Sequence, residues 1–449
     1  MKTLIRAKLE DKSAVIAIIG LGYVGLPLAL AFSEQGFKTI GYDTSAEKIG
    51  RLQNGVSDIL DFSSERLNRN LLAGNFLVTQ HANALLEADA VLICVPTPLN
   101  KAMEPDLSFI QQAVDVILEH AKSGILVALE STTYPGTTRD VICEAFSDKG
   151  FTLGRNFFAV YSPERVDPGN TRFTTYNTAK VVGGAESHSK ELGELLYKQV
   201  AETVVPVNSL EVAEMSKLLE NTFRSINIGF INEMALLAEK LDIDIWETIE
   251  AASSKPFGFM KFTPGPGIGG HCIPLDPMYL AWKAKSENFY SRFIQLAHEV
   301  NYSMPEVMVQ YIADTLNELE KPIKHSKILL LGVTYKENSA DLREAPALKI
   351  FEMLRKKGAH VSFCDPVANE FIDDNGENQT SLPLQYERFQ SFDLAILLTN
   401  HSQFSLQAIG ENCHFILDTK NVLPEDFYYK TRTFGKSSFS TKESIGIWS

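Results

Sequence analysis

The apolar run Val15-Ile16-Ala17-Ile18-Ile19 leads directly into Gly20-Leu21-Gly22-Tyr23-Val24-Gly25 and then into LPLALAFSEQG. A β-branched run of this kind suits a buried strand, and glycines at this spacing ahead of a helix-forming segment suit a tight strand-to-helix turn. The first glycine permits the turn and the second lets backbone amides approach a pyrophosphate. The third lets helix and strand pack closely, with the helix N-terminus facing the phosphate charge. Tyr23 and Val24 lie inside this turn. Asp43 ends the next apolar run, 18 residues past Gly25, where a carboxylate accepts ribose hydroxyls and repels a 2′-phosphate. The expected cofactor is therefore NAD, not NADP. The same segment, Ala14 to Ser33, contains no charge and could be mistaken for a membrane span. Gly20, Gly22, Gly25 and Pro27 interrupt it, so no membrane insertion is expected.

From Val15 to about Val205, the short runs VIAIIG, KTIGYD, AVLICVP, ILVALEST and FFAVYSPE alternate with amphipathic stretches, the rhythm of a parallel doubly wound sheet. A single long helix is expected from Ser209, its N-cap, to about Leu241, with Glu211 in its first turn. Lys255 to Pro277, rich in Gly and Pro, is expected to be an ordered loop without regular helix or strand. KILLLGVTY, HVSFCDP, DLAILLT and HFILD then form a second strand series. The expected fold is α/β: two Rossmann-like doubly wound domains, 1–208 and 320–449, joined by a long central helix and a helical middle domain, 209–319. The N-terminal MKTLIRAKLEDKS lacks an apolar h-region and reads as a short tail, not a signal peptide.

A net charge of −14 argues against a nucleic-acid partner, so an anionic ligand would need locally placed basic residues. The five cysteines form no Cys-x-x-Cys pair, so neither a disulfide framework nor a zinc knuckle is indicated; no metal is expected, and a reducing cytoplasm fits. Cys94, Cys143, Cys364 and Cys413 lie in or beside apolar patterns as small buried hydrophobes. Cys272 differs, because Gly269 and Gly270 precede it and give a substrate close access to its thiol. Lys217 and Asn221, four residues apart, share one helix face. They could meet one oxygen atom in a cleft, or form an ordinary solvated surface.

The segments GLGYVGLPLA, VPTP, ESTTYPGTT, YSPER, EMSKLLENTFR, GPGIGGHCIPLDP and GVTYKENSADLRE occur together and in order. In this the chain resembles the UDP-glucose/GDP-mannose dehydrogenase family from about Val15 to Asp418. The resemblance implies that NAD oxidises the 6-hydroxymethyl of a UDP-sugar in two steps. Cys272 would form first a thiohemiacetal and then a thioester, which water hydrolyses. Lys217 and Asn221 would support the oxygen on the reacting carbon. Asp276, Glu164 and a threonine of the EST motif, Thr132 or Thr133, would serve proton transfer and hydrolysis. Pro96 and Thr97 of VPTP, with Thr132, would contact the cofactor. Glu164, Arg165, Phe262 and Gly269 would contact the substrate, with Lys336 and Arg343 on its diphosphate.

On residues alone, Glu164 with Arg165 could equally be a buried ion pair, and Asp276 a turn cap. His271, where serine is usual in the UDP-glucose pattern, resembles the N-acetylhexosamine branch and favours UDP-N-acetylglucosamine. UDP-N-acetylmannosamine, the galactosamine epimer and UDP-glucose stay open, as does the role of His271. A homodimer built on the middle segment is implied. Two other readings remain: a one-step dehydrogenase with Lys217 as acid/base, and a non-catalytic NAD-binding sensor.

Overall fold

The fingerprint turn follows the third strand across an eight-stranded sheet. The structure, a computed structural model, describes residues 1–57, 63–100, 102–165, 172–270 and 272–436. The chain divides into two compact units, one of Met1–Glu220 with Leu275–Tyr290, the other of Asn221–Pro274 with Ser291–Ser449.

In the first unit the strands are β1 (Val15–Ile19), β2 (Lys38–Tyr42), β3 (Phe76–Thr79), β4 (Ala90–Ile93), β5 (Ile125–Leu129), β6 (Phe157–Tyr161), β7 (Lys180–Gly184) and β8 (Val204–Val207). They lie in the order β3-β2-β1-β4-β5-β6-β7-β8. Each strand of the centre buries both faces. Ile16 and Ile18 of β1, Leu92 of β4 and Leu126 of β5 join one core, while Ala17, Ile19, Val91 and Val127 join the other. That alternation is why these segments read as continuous apolar runs. The pairing departs from all-parallel at one place, since β6 and β7 run antiparallel through Val160↔Gly184 and Tyr161↔Gly183. Strand order reverses between β1 and β4, which puts the crevice for a ligand at the carboxyl end of β1.

Two expectations are corrected here. The N-terminal segment is not a tail: Lys2–Glu10 is a helix that buries Ile5 and Leu9, one turn apart, while Lys8 donates to Asp89 Oδ1 at 2.8 Å. The loop does not extend to Pro277, because a helix begins at Cys272 and runs to Ser286 with Pro277 inside it. Pro274 falls in its first turn, where no intrahelical N–H bond is lost.

The long helix spans Leu210–Lys240, and the Ser209 side chain caps it by accepting from Val212 N–H at 3.3 Å. Its buried Glu214 accepts from Gly136 N–H, Thr138 N–H and the Thr138 hydroxyl at 2.6, 2.9 and 2.7 Å, tying the first turns of the helix to the segment after β5.

The second unit carries a five-stranded parallel sheet made of β9 (Lys327–Leu331), β10 (His360–Cys364), β13 (Leu394–Leu397), β14 (Ile416–Asp418) and β15 (Thr431–Thr433), in the order β10-β9-β13-β14-β15. A separate hairpin pairs β11 (Glu370–Ile372) with β12 (Asn378–Thr380). Ile328 and Leu330 face one core and Leu329 and Leu331 the other, the same two-sided burial. Among the described residues no helix is long and apolar enough to cross a membrane.

Candidate active site

The three fingerprint glycines have different neighbours. Gly20 adopts φ +92°, and a Cβ there would stand 2.6 Å from the Cys94 carbonyl oxygen; at Gly25 a Cβ would stand 1.9 Å from the Gly20 carbonyl oxygen. Both are glycine because the protein's own backbone leaves no room. A Cβ at Gly22 would meet nothing within 4 Å. The protein's packing makes no demand for glycine at that position, so the opening it leaves suits an approaching ligand. Tyr23 is exposed beside it, and Val24 immediately precedes the helix Gly25–Glu34.

Asp43 follows β2 and is buried. Its Oδ2 accepts from Leu21 N–H at 2.9 Å and from Lys48 Nζ at 2.7 Å, and its Oδ1 from Ser45 N–H at 3.0 Å. Burial pushes this carboxyl up, but these donors outweigh it and hold the group below the usual aspartate range. These residues fit an NAD molecule: an amide-lined opening at a helix start, with an ionised carboxylate on the strand beside it. Pro96 is exposed and Thr97 buried. The Thr97 carbonyl accepts from the Tyr279 hydroxyl at 2.6 Å, and the Ser131 hydroxyl donates to the Val95 carbonyl at 2.7 Å, so the VPTP and EST segments are fixed.

The first unit also holds Thr132, Thr133, Glu164, Arg165, Lys217 and Asp276. Thr132 is half-buried, whereas Thr133 is fully buried and its hydroxyl donates to Thr137 Oγ1 at 2.6 Å. Glu164 and Arg165 each have a charged partner elsewhere. Arg165 reaches Glu220 at 2.7 Å and the Ala179 carbonyl at 2.8 Å, while Glu164 lies 3.3 Å from Lys180 Nζ. Lys217 and Asp276 are both buried.

The second unit holds Asn221, Phe262, Gly269, Cys272, Lys336 and Arg343. Asn221 lies one turn beyond Lys217 on the same helix and accepts from Arg224 at its Oδ1, which orients the amide. Cys272 is half-buried at the first position of its helix, and Asp276 lies one turn further along. Among the other thiols, burial pushes Cys143, Cys364 and Cys413 up to about 12 and Cys94 upward as well. His271 lies outside the described residues.

The glycine-rich segment before Cys272 is tied down from two sides. Asn232 on the long helix accepts from Gly265 N–H at 2.9 Å, and Gly270 N–H donates to the Arg343 carbonyl at 2.9 Å. A Cβ at Gly269 would stand 2.5 Å from Tyr335 Cβ. The fold thus brings together the cysteine loop and the segment of Lys336 and Arg343, far apart in sequence. Arg343 is held by Asp341 at 2.5 Å, and Lys336 is half-buried. Sequence reasoning missed Lys420, which lines a cavity with Lys261, Phe262, Thr263, Gly265 and Gly267. Burial lowers the proton affinity of its ammonium, with Glu337 and Asp418 acting against that. The signal available was a lysine just past a strand end, in HFILDTK, a common place for ligand-binding residues in such sheets.

Comparison with known proteins gives matches along most of the chain. The NAD binding domain of the UDP-glucose/GDP-mannose dehydrogenase family matches residues 14–201, its central domain 211–303 and its UDP binding domain 329–425. A UDP-N-acetyl-D-mannosamine dehydrogenase of Pyrococcus horikoshii is 33% identical over 416 residues, 91% of this chain and 96% of that protein. A UDP-N-acetyl-D-glucosamine 6-dehydrogenase of Salmonella typhi is 31% identical over 419 residues, 92% of this chain and 97% of that protein. The solved structure of a UDP-D-ManNAc dehydrogenase from Pyrococcus horikoshii superposes with a TM-score of 0.86 at 31% identity, covering 95% of this chain and all of that one (100%).

Proposed function

The chain belongs to the UDP-glucose/GDP-mannose dehydrogenase family, and on that footing we propose that it oxidises the 6-hydroxymethyl group of a UDP-N-acetylhexosamine to a carboxylate through a thiohemiacetal and a thioester on Cys272. It is an NAD-dependent UDP-sugar 6-dehydrogenase. The observation that carries the cysteine chemistry is placement: Cys272 is half-buried at a helix start behind two glycines, whereas Cys94, Cys364 and Cys413 are buried.

NAD, when bound, accepts a hydride at each of the two oxidation steps. Lys217 and Asn221 donate to the oxygen on the reacting carbon in both oxidations and in the tetrahedral adduct, and the proton that oxygen loses at each oxidation passes to the water that Asp276 and Thr132 place. Cys272 Sγ bonds to the aldehyde carbon and its proton passes to the aldehyde oxygen. In the last step water adds to the thioester, the carbon–sulfur bond breaks and the thiol is restored. Glu164 takes the proton of that water, which Asp276 and Thr132 place. Thr132 is preferred to Thr133 here because it is the more open and the Thr133 hydroxyl proton is committed to Thr137. Phe262, Gly269 and Arg165 are assigned to the sugar, and Lys336, Arg343 and Lys420 would supply positive charge to the diphosphate.

For the sugar, the GGHC segment favours UDP-N-acetylglucosamine, while the relatives' names do not separate it from the mannosamine epimer, since one named for each lies at 31% and 33% identity. Both share the acetamido group that a reshaped loop must admit. Incubating the enzyme with NAD and, in turn, UDP-N-acetylglucosamine, UDP-N-acetylmannosamine, UDP-N-acetylgalactosamine and UDP-glucose, while following NADH absorbance, tests this reading. Two NADH per acetamido sugar supports it. Turnover of UDP-glucose alone overturns the substrate class, and silence across the panel favours the NAD-binding sensor.

We further propose a homodimer seated on the long helix. Phe223, Phe230 and Leu237, spaced seven apart, are 44, 55 and 45% exposed, an apolar stripe that a second copy would cover.

A further inference from the structure

The sheet of the first unit buries a lysine. Lys180 opens β7 with 4% of its surface exposed, and its ammonium lies 2.6 Å from Glu130 Oε2 and 3.3 Å from both Glu164 Oε2 and the Pro163 carbonyl oxygen. Glu130, just past β5, is 1% exposed, and its other oxygen accepts from the hydroxyl of the fully buried Tyr197. Burial alone would lower the lysine's proton affinity, yet the two carboxylates outweigh it and hold the ammonium charged.

A buried ion pair rarely stabilises a fold better than apolar residues of the same size would. Glu130 by itself already neutralises Lys180, so the lysine's reach to a second carboxylate is unexplained by packing. That second carboxylate is the more open one, and its Oε1 accepts from Arg165 N–H at 2.7 Å. The neighbouring arginine is engaged elsewhere, by Glu220 and the Ala179 carbonyl. The charged and titratable groups around Glu164 include Lys180, Glu130, Tyr197, Cys94 after β4, and Arg165 with Glu220.

We propose that Lys180 is a positioning residue for Glu164: seated in the sheet by Glu130 and Tyr197, it fixes one oxygen of the Glu164 carboxylate and supplies the counter-charge that readies it to take a proton from the hydrolytic water. This rests on the role given to Glu164 above.

The test is the pH dependence of kcat, with NAD and UDP-sugar saturating, in the wild type and in E164Q, E130Q, K180R and the K180M/E130Q double variant. The double variant removes the buried pair together, because Lys180→Met alone would strand a buried carboxylate. Activity needs Glu164 ionised, so it is lost as pH falls through that group's titration, the acid limb of the profile. E164Q should lose the limb. K180M/E130Q should move it up by at least about one pH unit, a tenfold rise in proton affinity. E130Q, which leaves the lysine's charge wholly to Glu164, should move it down, and K180R should keep it within about half a unit of the wild type. A structural lysine would not give shifts of opposite sign. If the double variant does not fold, the E130Q shift decides. A limb that stays put in E130Q and the double variant while E164Q loses it overturns the proposal for Lys180. A wild-type limb retained in E164Q instead overturns the role of Glu164 itself.

Discussion

Replacing Gly22 and Gly25 separately by alanine should divide cofactor binding from folding. At Gly22 the new Cβ meets nothing within 4 Å, so the apoprotein should melt within about 2 °C of the wild type, a change of about 0.5 kcal/mol or less. With NAD the extra methyl stands where the pyrophosphate must approach the backbone. Loss of one or two well-made hydrogen bonds to a charged group, about 1.5–3 kcal/mol, weakens NAD by roughly 10- to 150-fold. For a 50-fold loss, an NAD concentration that stabilises the wild type by about 2.7 kcal/mol stabilises Gly22→Ala by only about 0.6 kcal/mol. At Gly25 the same methyl would lie 1.9 Å from the Gly20 carbonyl oxygen and 3.1 Å from Cys94 Cβ, so the helix must move away from the sheet. Overpacking of that kind costs about 3 kcal/mol, or roughly 6–12 °C in melting temperature with or without NAD. Thermal melts and fluorescence titration of NAD read both effects. A Gly22→Ala protein that binds NAD as the wild type does, or that melts like Gly25→Ala without ligand, would refute the assignment of this turn to the cofactor.

Cys272→Ser should abolish formation of the second NADH and of the acid, measured as NADH released per sugar; a normal ratio of two would remove the thioester from the mechanism. Asp43→Asn should raise KM for NAD and increase the NADP-to-NAD preference, since it removes the repulsive carboxylate and releases Lys48 from it; an unchanged cofactor preference would count against Asp43 as the selector. The carboxyl of Asp365 is held below the usual aspartate range, because the His401 hydrogen bond and the Val367 and Val333 amides outweigh burial. A lowered carboxyl contributes stability above its unfolded value of about 3.9 and loses it as pH falls through the folded one, so Asp365→Asn should lower the melting temperature at pH 7 and flatten its decline below about pH 4. On the proposed homodimer, Phe230→Asp should convert dimer to monomer in light scattering without altering the monomer's circular dichroism; an unchanged mass would refute the long helix as its seam, and a monomeric wild type the dimer itself.

What the sequence disclosed followed from how each segment is buried. Strands β1, β4, β5, β9 and β13 bury both faces and therefore announce themselves as apolar runs. Strand β8, Val204–Val207, lies at the sheet edge, contains Pro206 and leaves it and Val205 exposed, so no run marks it. The helix Lys2–Glu10 buries only Ile5 and Leu9, too few for a period to emerge from nine residues. Gly269, Gly270, Pro274 and Pro277 hid the helix that begins at Cys272, because local propensity speaks against a helix there. Of the site, the fingerprint and the cysteine were legible from chemistry carried in adjacent residues. Lys180 was not, since a lysine opening a strand reads as surface until Glu130 and Glu164 are placed around it. Lys420 and its cavity were hidden for the same reason, being made by segments distant in sequence.

The two sheets repeat one local device and then diverge in how they meet a phosphate. After β1, Gly20 at φ +92° packs on the Cys94 carbonyl at the end of β4; after β9, Gly332 at φ +76° packs on the Thr399 carbonyl just past the end of β13, where a Cβ would come within 2.2 Å. In both, an aspartate following the adjacent strand accepts an amide of the turn: Asp43 from Leu21, Asp365 from Val333 at 2.7 Å. In the first sheet a helix starts at Gly25, and its exposed amides and dipole can meet an anion without any basic side chain. In the second the next helix starts only at Pro346, and Asp365 is bonded to the buried His401 at 3.1 Å. A diphosphate there would have to be neutralised by side chains instead, the role proposed for Lys336, Arg343 and Lys420 beyond a turn with no full glycine fingerprint. On that proposal, an acidic chain that handles two anionic ligands needs added positive side chains at only one of them.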